Sequence, residues 1–410
     1  MTAPLAGIRV LDHGHVWAGP LLGASFVDMG AEVIKVLAPG RTSGVSMAGA
    51  RTLGVGSGAP DDPLSYHGYD RGKRSITLDL SSADGKALYR RLAALSDVVV
   101  ENFSAGVMSR LGLGYDVLSA ANPRIILASL SATGETPGPW RDLVTYGPSL
   151  AALYGLKSLL GYHDDPFPRE DTADLDPTAA GHAFFAILAA LEWRERSGRG
   201  QHLAMAQGEA TMQRIAEPLM DYFLNGRVAH TQGNRYPGMA PHGIYRAAGD
   251  DRWISIAVRD DGEWTALLAV AGDAAPALRD PRFATLAGRL AHQDDLDRTV
   301  EAWTAGWEPM ALTERLQSAR VAAFPVMGPP DLARDRNYLA LLHSVTELDP
   351  RVQIGSDQIY QSVPWKLSMT PGIIQGPGPA SLDADNDYVF GELLGIDEDG
   401  RRTLRERRVI

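Results

Sequence analysis

Short apolar runs alternate with helical segments through the first third of the chain, and that alternation constrains the fold more than any other feature. Residues 8–11 form a run of strand length. A helical segment follows Gly19-Pro20, with proline in its first turn and apolar side chains at Leu21, Leu22, Phe26 and Val27. Gly30 ends it, and residues 31–37 form a second apolar strand. The pattern recurs with a strand at 75–80, a helix capped by Ser82 and ending near Leu95, and strands at 97–100 and 125–130. Strands that alternate with helices predict an α/β fold with a mostly parallel sheet.

Further along, the spacing predicts long helices over about 177–196 and 209–224. The style then changes. Strands at 242–246 and 252–258 flank a Gly-Asp-Asp turn, helices follow near 262–272, 293–305 and 311–319, and 322–327 is a strand. This stretch reads as a smaller α+β domain. A chain of 410 residues exceeds what one core usually holds. The expected division is a large domain over 1–226, a small one over 227–330, and a C-terminal segment, 331–410, that returns to the large domain. Its last helix is expected near 386–394, while 40–69 and 164–174 read as loops.

The net charge of −11, without a basic block, disfavours nucleic acid and anionic membranes as partners. A polyanionic ligand would need a local basic pocket. The chain has no cysteine, which excludes disulfides, thiolate metal sites and a cysteine nucleophile. That composition fits a reducing cytoplasm. The opening MTAPLAGIRVLD lacks a basic region and a long apolar run, so no signal peptide is expected. The longest apolar stretch, 183–191, is too short to span a bilayer.

Several motifs carry two readings. Asp176-Pro177 opens the first long helix. Asp is a favoured cap and Pro a favoured first residue, so spacing alone is satisfied by a structural role. The same position stabilises a carboxylate through the helix dipole, and a positioned carboxylate can serve as a covalent nucleophile. His13-x-His15 ends the first strand, but nothing nearby completes a ligand set, so no metal is expected. The glycines at 54–58 neither directly follow a strand nor open a helix. SLSATGETPG at 129–138 lacks the lysine of a phosphate loop. Lys73, Arg74 and Arg110 are either solvated charges or phosphate contacts, with Phe103 offering an aromatic face.

An ordered set of segments resembles the class III CoA-transferases, the fold family that also contains α-methylacyl-CoA racemase. These are PLAGIRVLD…HVWAGP (4–20), GAEVIKV (30–36), RGKRSITLDL (71–80), DVVVENF…GVMSRLGLGY (97–115) and ILAAL…R…SGRGQ (187–201). PHGIYRAAGDDRWISIAV (241–258), FPVMGPPDL (324–332) and LSMTPG (367–372) extend it over nearly the whole chain. The resemblance implies a Rossmann-like large domain, a small domain and an interlocked homodimer. It implies that Asp176, eleven residues before Ile187, is the catalytic carboxylate, with His182 six residues after it and Asp174 as the nearest competitor. It carries a coenzyme A pocket onto Val16, Trp17, Ala18, Leu78, Asn102, Phe103, Arg110 and Tyr146.

The chain departs from the family at Leu37 and Ala38, in place of an acidic residue and an arginine, and at Ser81 and Val144, in place of lysines. A glycine-rich flap is replaced by 237–243. The implied activity moves CoA from an acyl-CoA thioester to a carboxylic acid, with acyl-CoA as substrate and no tightly bound cofactor. The alternatives are acyl-CoA racemisation and CoA binding without turnover. Racemisation needs two acid/base groups, and Tyr146 stands where the racemases carry a histidine.

Overall fold

The computed structural model describes residues 3–39, 69–162, 175–332 and 381–410, with short pieces at 334–336, 365, 367–372, 375–376 and 378–379. The predicted loop at 164–174, including Asp174, and the glycines at 54–58 lie outside the described residues. The chain divides into two compact units. One comprises 1–156, 171–224 and 341–410; the other comprises 157–170 and 225–340.

The first unit is built on six strands: β1 (Arg9–Asp12), β2 (Glu32–Leu37), β3 (Arg74–Thr77), β4 (Val98–Glu101), β5 (Ile126–Ser131) and β6 (His202–Ala206). Their order is β3-β2-β1-β4-β5-β6, and all five pairings are parallel. This order reverses direction between β1 and β4, the point at which doubly wound sheets bind ligands beyond their strand ends.

Helices cover both faces, which is why the strands read as continuous apolar runs. On one face, α1 (Ala18–Asp28) buries Leu22, Phe26 and Val27. The 23-residue Leu175–Ser197 helix packs beside it, burying Leu175, Ala179, Ala183, Ile187, Ala190, Leu191 and Arg194 at helical spacing. On the other face, α2 (Ala83–Ala94) buries Leu88, Tyr89 and Leu92. Ser82 caps it as expected, its hydroxyl accepting the Gly85 N–H at 3.0 Å.

The edge strand β3 is covered by the chain's end. Asp385 accepts the Ser75 N–H at 2.8 Å and Asn386 the Thr77 N–H at 3.0 Å, so backbone donors at the edge are satisfied. The predicted last helix is a π-helical turn over Asp387–Leu393, and a further helix, Glu398–Glu406, follows it.

The second unit holds an antiparallel sheet of three strands, β7 (His242–Arg246), β8 (Trp253–Ala257) and β9 (Ala322–Pro325). Its own core gathers Ile254, Ile256, Trp264, Leu267, Leu296, Val300, Leu312 and Leu316. No helix among the described residues is long and apolar enough to cross a membrane.

Candidate active site

The turn after β1 is the keystone of the switch point. Gly14 and Gly19 approach so closely that a Cβ on Gly14 would lie 2.4 Å from the Gly19 carbonyl carbon. Side chains there are excluded, and the end of β1 can fold back onto the start of α1. Val16 within this turn has φ of 63°, a left-handed conformation that a β-branched residue adopts only when its surroundings impose it. Asn102, just past β4, supplies the constraint. Its carboxamide oxygen accepts the His15 N–H at 2.7 Å and its amide donates to the His15 carbonyl at 2.8 Å.

Beneath the turn lies a buried ionic quartet. Lys73 Nζ donates to Asp12 at 2.7 Å, Asp70 at 2.8 Å and the Pro20 carbonyl at 2.8 Å. Lys35 lies 3.7 Å from both Asp12 and Asp70 and donates to the Gly14 carbonyl. Burial alone would raise the Asp12 carboxyl, yet Lys35, Lys73 and the Gly14 N–H hold it below the usual carboxylate value. Gly23 of α1 makes room, since a Cβ there would come within 2.4 Å of Asp12. Three of the sequence segments that carried the resemblance, around Asp12, Lys35 and Lys73, thus meet in one structural network.

Two cavities open beside this turn, both within the first unit. The first, of about 260 Å³, is lined by His15, Val16, Asn102, Phe103, Thr145, Tyr146 and Gly147, with Asp176 and Gln207 among its walls. Asp176 stands in the first turn of the long helix, one residue inside its start, rather than capping it. Burial raises its carboxyl to about 6. Thr145 Oγ1 is buried and without a hydrogen-bond partner among the described residues. Gly147 opens a short helix, α3 (Gly147–Leu153). Tyr146, just before it, is 65% exposed. His182 does not turn inward; it is exposed and its Nδ1 pairs with the Thr178 carbonyl at 2.9 Å.

The second cavity, of about 490 Å³, is walled by Leu37, Ala38, Leu78, Leu80, Ser81 and Leu111. His15 and Phe103 line both cavities, and their rings lie 5.3 Å apart. Phe103 is therefore the partition between the carboxylate and an apolar chamber.

The structure brings most of the expected residues together. Val16, Asn102, Phe103, Tyr146 and Asp176 share the first cavity, and Leu78 and Phe103 the second. Trp17 and Ala18 are not among the lining residues of either; Ala18 is fully buried and Trp17 packs its ring 5.9 Å from Tyr69. Arg110 also stands outside both linings. Its guanidinium donates to the Ala105 carbonyl at 3.0 Å, and it flanks Gly106 together with Arg141. His13 is committed elsewhere, its Nε2 paired with the Tyr89 hydroxyl at 2.7 Å.

Sequence reasoning missed Gln207, whose amide donates to the Leu130 carbonyl at 2.7 Å while its side chain borders the first cavity. It lies just past β6, a strand that the reading also missed.

The chain matches the family described as CoA-transferase family III over residues 5–386. It is 34% identical over 407 residues to "Succinyl-CoA--D-citramalate CoA-transferase" of Chloroflexus aurantiacus, covering 99% of this chain and 98% of that protein. It is 33% identical over 394 residues to "Succinate--glutarate CoA-transferase" of Agrobacterium fabrum, covering 96% of each. A CAIB/BAIF family protein from Brucella suis superposes with a TM-score of 0.82 at 29% identity, covering 96% of this chain and 100% of that one. The fold, the cavity at the sheet's switch point and these full-length likenesses agree: the chain belongs to CoA-transferase family III and is a class III CoA-transferase.

Proposed function

We propose that Asp176 is the nucleophile that moves CoA from an acyl-CoA donor to a carboxylic acid. The observation that carries this reading is its place in the cavity that shares Phe103 and His15 with the apolar chamber at Leu78. That chamber accepts the adenine end of CoA, and the thioester reaches Asp176 past Phe103.

The carboxylate attacks the thioester carbonyl; a C–O bond forms, the C–S bond breaks and CoA leaves as the thiolate. The thiolate then attacks the aspartyl carbonyl of the mixed anhydride. This forms an aspartyl-CoA thioester and releases the donor acid. The acceptor carboxylate attacks that thioester, and the thiolate released finally takes the acceptor's acyl group, restoring the Asp176 carboxylate. No ATP enters, because the thioester bond energy is conserved. The Thr145 hydroxyl and the backbone at Gly147 line the same cavity as donors for the oxyanions.

The names of the full-length relatives make small dicarboxylic acids the substrates to try first. The experiment is incubation with succinyl-CoA and a panel of carboxylic acids without ATP, read by mass spectrometry for new thioesters. A new acyl-CoA is expected. Deuterium wash-in at the α-carbon without transfer would favour racemisation, and CoA binding without product would favour a non-catalytic role.

Arg110 is assigned to a CoA phosphate, with Arg141 at the same glycine. Arg110→Ala is expected to weaken CoA binding about three- to tenfold, a range set by an exposed charged hydrogen bond. Unchanged affinity by calorimetry refutes the assignment.

A homodimer is part of the same reading. The Ala216–Asn225 helix buries no residue of its own, and it exposes Met220, Tyr222, Phe223 and Leu224, an apolar surface of the kind a second copy covers. Light scattering is expected to give the mass of two chains; the mass of one refutes the dimer.

A further inference from the structure

A second group of ionisable side chains gathers at the end of β4, around Glu101. Glu101, the last residue of β4, is 4% exposed, and its Oε2 accepts the Phe103 N–H at 2.7 Å. Every element around it supplies a polar group. Ser129 of β5 stands directly opposite Glu101 in the parallel ladder, and its hydroxyl favours the ionised Glu101 carboxylate. The Ser129 hydroxyl also pairs with His202 Nε2 of β6 at 3.1 Å. Glu135, in the loop after β5, reaches His202 at 3.4 Å and accepts the Gly106 N–H at 3.4 Å. Tyr115 stacks on the His202 ring, 5.9 Å between centroids. Tyr89 of α2 feels the Glu101 charge and bonds to His13, which borders the second cavity.

We propose that Glu101 is a positioning residue for coenzyme A: its ionised carboxylate, through its bond to the Phe103 N–H, fixes Phe103 and with it the wall common to both cavities. The inference rests on the reading above that CoA passes Phe103. A hydrogen bond to a charged acceptor is roughly twice as strong as one to a neutral acceptor, so the turn is held more firmly when Glu101 is ionised.

Burial pushes the Glu101 carboxyl up to about 7; the Ser129 hydroxyl and the Phe103 N–H pull it partway back, and Glu135 pushes it up again. Between pH 6 and pH 8 the ionised fraction therefore rises from about one tenth to about nine tenths. Glu101→Gln keeps a neutral acceptor for the Phe103 N–H and cannot ionise.

The test is calorimetric titration of the full chain with free CoA at a series of pH values from 6 to 8. It compares the wild type with Glu101→Gln, Ser129→Ala and Phe103→Leu. The ionisation of CoA itself cancels in the ratio of dissociation constants. The Glu101→Gln to wild-type ratio is expected near one at pH 6 and about three- to tenfold at pH 8. Ser129→Ala removes the hydroxyl that lowers the carboxyl and is expected to move the wild-type midpoint to higher pH. A ratio that does not change with pH, or is largest at pH 6, overturns the proposal. If Glu101→Gln does not fold, an unshifted midpoint in Ser129→Ala overturns it instead. Phe103→Leu separates the two levels. Weakened binding there beside a wild-type-like Glu101→Gln sinks this inference alone. Unchanged binding in Phe103→Leu sinks the cavity reading and this inference together.

Discussion

Asp176→Asn is expected to lower CoA transfer by at least about 10,000-fold, the scale on which removing a covalent nucleophile acts, while making the protein more stable at neutral pH. The stability effect follows from its burial. The carboxyl is raised from an ordinary 3.8 to about 6 by desolvation. A raised acid favours its neutral form in the folded state. The resulting destabilisation is absent below the unfolded value, grows as pH rises through the window between the two, and is complete above about 6. Asparagine cannot ionise, so it relieves that cost. The gain at pH 7–8 is about 1–3 kcal/mol, reduced by the group's partial exposure, and vanishes near pH 4. Melting temperatures of both proteins at the two pH values check this. The proposed mechanism needs the anion, so kcat/KM is expected to fall as pH drops through about 6. A capping role alone predicts neither the lost rate nor the acid limb.

Lys73→Ala is expected to destabilise the fold by about 3–5 kcal/mol, because removing one member of a buried ion set leaves an uncompensated charge. Lys73 has a fully buried ammonium and three acceptors within 2.8 Å. Its loss leaves Asp12 and Asp70 to share Lys35, at 3.7 Å from each. Chemical denaturation measures the change through the midpoint at constant slope. The effect should extend to the site, since Asp12 also accepts the Gly14 N–H at 2.6 Å and Lys35 holds the Gly14 carbonyl. A loss of less than about 1 kcal/mol would show that the quartet is not the anchor of the turn.

The parallel sheet was legible because strands with helices on both faces are apolar throughout, as in 98–101 and 126–131. β6 was not, because His-Leu-Ala-Met-Ala lacks the β-branched, Phe, Tyr and Trp residues that mark strands. The helix predicted over 209–224 is broken by a 3₁₀ turn at Gln213–Ile215, a local adjustment that periodicity does not reveal.

Asp176, Asn102, Phe103 and Leu78, which line the two cavities, were singled out through the family resemblance, since spacing alone left Asp176 with two roles. Glu101 stayed hidden, although it lies in the DVVVENF segment, because a glutamate just past a strand reads as a solvated charge. Its neighbour Ser129 and that residue's partner His202 lie 28 and 101 positions away in the chain. The quartet of Asp12, Lys35, Asp70 and Lys73 was hidden for the same reason. Charges distant in sequence look solvated until the fold closes over them.

The most direct test of Asp176 as nucleophile is hydroxylamine trapping during turnover, followed by peptide mass analysis with fragmentation that separates Asp176 from Asp174. An acylated or thioesterified aspartate is converted to a hydroxamate, whereas a free carboxylate is not. The expected result is a hydroxamate on Asp176 that requires acyl-CoA and is absent from Asp176→Asn. A hydroxamate on Asp174, or full transfer activity in Asp176→Asn, would contradict the assignment.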